Sequence, residues 1–124
     1  MKTLITLFII GIMMLSLDSM YIYSFRNMFM KQVQDVQGSP LKINLVGAIP
    51  CYIIMITGFY YFIIQPRRSV FDAFLLGIFI NGVYGFTTLS IIKKWNLQTV
   101  LIDTLWGGLL YASLTYVIQN YLQK

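Results

Sequence analysis

The sequence holds four acidic residues among 124, all of them aspartate, and two stand inside long apolar runs: Asp18 in LSLDSMYIY and Asp103 in LIDTLWGG. On a helix, Asp103, Trp106 and Gly107 fall at i, i+3 and i+4 and share one face. A carboxylate in hydrocarbon is costly unless it is protonated, hydrogen-bonded, hydrated or bound to a cation. Neither run contains Lys, Arg or His, so an ion pair within the runs is not the explanation. The chemistry open to such a pair is binding of a proton, a metal ion or a small organic cation. Trp106 and Tyr84 are candidate cation–π walls for it. Acid–base catalysis needs a nucleophile or metal set beside the acids, and the sequence offers none, so an enzyme is not expected. With no His and one Cys, the usual zinc and haem ligand sets, disulfide frameworks and Ser-His-Asp or Cys-His nucleophiles are excluded. No metal centre or cofactor is predicted.

These residues need elements to carry them. The chain is 58% hydrophobic and 10% charged, with a mean hydropathy of +0.74, too apolar to clothe a soluble domain. A helix crosses the hydrocarbon in about 20 residues, and four apolar runs of that length are present, over about 4–23, 43–64, 70–92 and 97–118. The fold class this predicts is all-α: a single integral membrane domain, a four-transmembrane-helix bundle of antiparallel neighbours with short loops. Only SFRNMFMKQVQDVQGSPLK, between the first two spans, is a sizeable connection. Its first half reads as helix one continuing into the interface, and Gly38 and Pro40 then break it. QPRRS and KKWN are tight polar turns. Ser69 and Asp72 form a capping box at the start of the third span, a structural role that keeps Asp72 out of the candidate site. Trp95, Tyr21, Tyr23, Tyr60 and Tyr61 fall at span ends, as an aromatic belt requires. The seven Met are packing or lipid-facing residues. Lys2 and the apolar run after it also suit a signal peptide, but no small-x-small cleavage site follows, so the first span is expected to be retained.

Threading the spans gives each residue a depth. Both termini lie on one side, A, with Lys2, Arg67, Arg68 and Lys124. Side B carries Arg26, Lys31, Lys42, Lys93 and Lys94, and four bases against five fix no orientation. The net charge of +5 suits anionic lipid headgroups, whereas the scattered basic residues do not suit nucleic acid. At 1.5 Å per residue, Asp18 lies about 8 Å and Asp103 about 9 Å below side B. Tyr84, Thr87 and Thr88 reach the same level on the third span, and Pro50 and Cys51 on the second. These residues are predicted to form one polar layer. Gly11, Leu15 and Asp18 give the first span an inward face. Ala73, Gly77, Asn81 and Gly85 form a small-residue stripe on the third, and Thr104, Gly108 and Ala112 form another on the fourth, beside Gly107. Such stripes allow close approach, so these two helices are predicted to pack tightly.

From Tyr84 to Gly107 the sequence resembles a family of small, mainly bacterial four-span membrane proteins known only as a domain of unknown function, with relatives in large DNA viruses. The family shows Tyr-Asp-Leu-Thr-Asn-Leu-Ala late in the third helix, a turn with Trp, then Asp-x-x-Trp-Gly. Tyr84, Thr87 and Leu89 match the first motif, Trp95 the turn, and Asp103, Trp106 and Gly107 the last. Asp18 matches an Asp near the end of the first helix, with Tyr21 in place of the usual Trp. Gly85 stands where the family has Asp, and Thr88 where it has Asn. The resemblance implies a four-span membrane protein and no particular activity.

Two functions remain open. One is a small transporter or cation- or proton-binding protein, in a cell inner or plasma membrane or an internal viral membrane, with self-association expected. The other is a structural or assembly protein whose buried acids only fix helix packing.

Overall fold

The computed structural model describes residues 2–39 and 45–122. It is built from helices: α1 (Lys2–Ser24), α2 (Arg26–Gln37), α3 (Leu45–Phe59, continued by a π turn over Tyr60–Ile64), α4 (Val70–Ile91) and α5 (Leu97–Tyr121). Four of these, α1, α3 with its π turn, α4 and α5, are long and apolar enough to cross a bilayer. Pro40, Lys42, Lys124 and the first two residues of the predicted second span lie outside the described residues.

The connection after α1 differs from a simple continuation. Phe25 leaves helical geometry (φ −109°, ψ 22°), so α2 is a separate helix. Phe29, Gln32, Val33 and Val36 share its inward face, while Arg26, Lys31, Gln34 and Asp35 are exposed. Gly38 ends α2 in the left-handed region (φ 74°), where a side chain would be strained, and its N–H bonds Gln34 O at 2.8 Å. At the start of α4, Ser69 Oγ accepts from the Asp72 N–H at 3.0 Å, with Arg68 3.9 Å from the Asp72 carboxylate. Asn96 caps α5, its Oδ1 accepting from the Gln98 N–H at 2.8 Å.

The most extensive helix–helix interface joins α4 to α5. A Cβ on Gly77 would collide with the Gly107 carbonyl and the Gly108 nitrogen, so the two backbones touch there. Gly85 meets Val100, and Gly82 faces the Thr104 methyl at 3.5 Å. In lipid, where burial of apolar surface no longer drives association, this close packing supplies the attraction between helices. The opposite side of α5 meets α1 and the π turn of α3. The core there comprises Ile10, Met14, Phe59, Ile63, Ile64, Leu110, Leu114 and Ile118, all almost fully buried. α3 packs on α1, and its π turn on α5, more extensively than on α4, its neighbour in sequence. The π turn is recorded in the bonds Gln65 N–H to Tyr60 O (2.8 Å) and Arg68 N–H to Ile63 O (2.9 Å). It lets Phe59, Ile63 and Ile64 all face inward.

Candidate functional site

The acids meet between α1 and α5. These helices run antiparallel, and each carries an aspartate followed three residues later by an aromatic donor: Asp18 and Tyr21 on α1, Asp103 and Trp106 on α5. The antiparallel register crosses the two pairs. Trp106 Nε1–H donates to Asp18 Oδ1 at 2.9 Å, and Tyr21 O–H donates to Asp103 Oδ1 at 3.3 Å. The two aromatic rings stack nearly parallel, 4.7 Å between centroids and 6° between planes. Each helix therefore supplies one acid and one neutral donor to a reciprocal clasp. A third helix joins through Tyr52 of α3, whose hydroxyl donates to Asp18 Oδ2 at 2.7 Å. The fourth joins through Asn81 of α4, whose amide donates to the Asp103 backbone carbonyl at 2.9 Å. Phe25 and Phe29 pack on the outer side of Tyr21, at 5.2 and 5.5 Å. Among the described residues, no Lys or Arg is ion-paired with Asp18 or Asp103.

The layer read from depth alone is thus only partly assembled. Asp18, Asp103 and Trp106 come together. Tyr84, 63% exposed, does not join them, and neither do Thr87, which is exposed, or Thr88, whose hydroxyl bonds its own helix at Tyr84 O. The reason is azimuth. Gly77, Asn81 and Gly85 turn one face of α4 toward α5. At about 100° per residue, Tyr84 then points about 60° away from the middle of that face and Thr87 about 120° away, whereas Thr88, three residues after Gly85, lies on that face but spends its hydroxyl on its own helix. On α1 the inward face runs through Ile10, Met14, Asp18 and Tyr21, so Leu15, 46% exposed, lies off it. Pro50 and Cys51 are exposed on α3, and Tyr52 takes their place in the layer. Tyr21 belongs to this interior and not to an aromatic belt, being 7% exposed. Its spacing of three from Asp18 is the signal that finds it. Thr104 faces α4 with its hydroxyl buried and without a partner among the described residues, and Ala112 is half-buried. Gly108 is closely enclosed by Ile78 and Phe74.

Sequence reasoning also missed Gln32, 5% exposed in α2. Its Nε2 donates to Lys94 O at 2.8 Å, while its Oε1 accepts from the Asn96 N–H at 2.9 Å and the Thr99 hydroxyl at 3.3 Å. One amide therefore fastens α2 across the side-B end of the bundle.

A family model described as Predicted membrane protein (DUF2177) matches residues 3–119. The chain belongs to this family. No curated protein and no solved structure matches it. The family description and the four apolar helices agree on a membrane protein. Membership in DUF2177 brings no assigned chemistry, so the site must be judged by its own geometry. The sequence departs from the resemblance at Gly85, and a Cβ there would come within 2.8 Å of Val100 Cγ1. An aspartate at 85 therefore requires a different fit against α5.

Proposed function

We propose that this chain is a small, non-enzymatic membrane transporter or binding protein whose exchangeable ligand is a proton or small cation held at Asp18 and Asp103. The supporting observation is the reciprocal clasp: two membrane-embedded carboxylates held by the neutral donors Trp106, Tyr21 and Tyr52. A lone charge at a span's centre costs about 2.5–3.5 kcal/mol on insertion scales, and less near an interface. Neutral hydrogen bonds reduce that cost but leave the negative charge in place. A proton or cation is what cancels it. Among the described residues, Asp103 accepts a side-chain bond only from Tyr21, at 3.3 Å, whereas Asp18 accepts two shorter ones. Asp103 is therefore the acid expected to exchange, with Asp18 as its more firmly held companion.

The test is proton uptake by liposomes containing the purified protein under an imposed pH or cation gradient. Wild type is expected to exceed empty liposomes, with Asp103→Asn reducing the rate at least tenfold while thermal unfolding stays within a few degrees. Equal rates in wild type and Asp103→Asn would refute the reading. A purely structural role is favoured by one observation, that both Asp18 oxygens accept donors from other helices. That role predicts that Asp18→Leu loses stability and that no variant changes flux.

A further inference from the structure

The three hydrogen bonds of Gln32 have an effect beyond fastening α2. They set Lys31 beside the α4–α5 turn, which carries Lys93 and Lys94. All three lysines are exposed, and among the described residues none is ion-paired. Arg26 is already engaged, its guanidinium 4.4 Å above the Tyr23 ring and bonded to Tyr23 O at 3.0 Å. Asp35 is the one acid on α2, and it forms no bridge to Lys31 one turn away. The inward face of α2 is packed on the bundle, so its exposed basic face lies at headgroup level, where the spans α1 and α4 end. Phosphodiester oxygens are the acceptors available in quantity at that level, and lysine binds them as a point charge.

We propose that the face formed by α2 and the α4–α5 turn binds the headgroup of an anionic glycerophospholipid, with Lys31, Lys93 and Lys94 as its cationic contacts and Gln32 holding the two segments in register. This surface is separate from the acid clasp and does not depend on its function.

The test is thermal unfolding of the full chain in neutral detergent, with phosphatidylglycerol, phosphatidylcholine or inorganic phosphate added. Phosphatidylglycerol is expected to raise Tm in a salt-sensitive manner, and the other two to leave it unchanged. Each of Lys31→Gln, Lys93→Gln and Lys94→Gln is expected to weaken the lipid's half-maximal effect about fivefold, as roughly 1 kcal/mol per basic residue near an anionic surface implies. Gln32→Leu removes no charge and is expected to weaken it as well, because α2 is released. Lys2→Gln, on side A, is expected to have no effect. An undiminished phosphatidylglycerol shift in the lysine variants overturns the proposal. So does an equal loss in Lys2→Gln, or an equal shift with inorganic phosphate, which would make the ligand a free anion.

Discussion

Asp18 and Asp103 sit in matching surroundings but are not held equally, and the difference can be measured. Tyr52 donates to Asp18 at 2.7 Å, whereas Tyr21 reaches Asp103 at 3.3 Å. Side-chain hydrogen bonds between membrane helices average about 0.6 kcal/mol and reach about 1.7 kcal/mol. Tyr52→Phe is therefore expected to cost about 1–1.7 kcal/mol in reversible unfolding, and Tyr21→Phe less than about 0.6 kcal/mol. Tyr21→Leu is expected to cost about 0.5–1.5 kcal/mol more than Tyr21→Phe, because it also removes the stack on Trp106. A reversed order would mean that the stack, not the acid, organises the clasp. At this scale the sequence was legible where spacing carried direction. Asp103 with Trp106 could be read as a pair on a single face, whereas Tyr21, at the same spacing from Asp18, reads as part of an aromatic belt because it stands at a span end. Tyr52 could not be placed, because one tyrosine in the apolar run of α3 has no periodic partner to reveal which way it turns.

The helices divide the work unequally. α4 is attached through a stripe of small residues, and glycines along it differ in what they touch. Gly77→Ala puts a methyl group into the backbone of α5, which cannot yield, and overpacking of this kind costs about 1–3 kcal/mol. At Gly82, only the Thr104 methyl is near, at 3.5 Å. There, Gly82→Ala is expected to be neutral or stabilising by up to about 1 kcal/mol, from helix propensity alone. Thermal unfolding of the two variants side by side checks the contrast. The four spans and the stripe between α4 and α5 were readable because length, hydropathy and i, i+4 spacing are properties of single helices. The outward turn of Tyr84 and Thr87 was not, since depth along an axis says nothing of rotation about it. The separation of α2 from α1 was hidden for a related reason: no Gly or Pro marks the break at Phe25.

In the whole molecule α5 is the hub, with α4 on one side and α1 and α3 on the other. Because α3 packs more on α1 and, through its π turn, on α5 than on α4, the turn at 65–69 links two units already joined elsewhere, through the clasp and the core around Leu110 and Leu114. Cutting the chain there with an engineered protease site is expected to leave both fragments co-eluting in mild detergent. In an Asp18→Leu background, which lacks the bonds from Trp106 and Tyr52, the cut fragments are expected to separate. Separation of the wild-type fragments would show that the turn, and not α5, holds the halves together.

The π turn bears on how the chain accommodates changes of length. A helix with one surplus residue looped into a wider turn keeps the segments on either side in phase, as if the surplus were not there. Removing one lipid-facing residue from it, such as Phe62, would leave an ordinary α-helix with Tyr52 still aimed at Asp18. The same deletion one turn after Tyr52 would rotate that tyrosine by about 100° relative to the core around Ile63 and Ile64. Single-residue gaps among natural relatives are therefore expected to gather at Tyr60–Ile64, the one stretch of α3 where the bundle can lose a residue and keep its register.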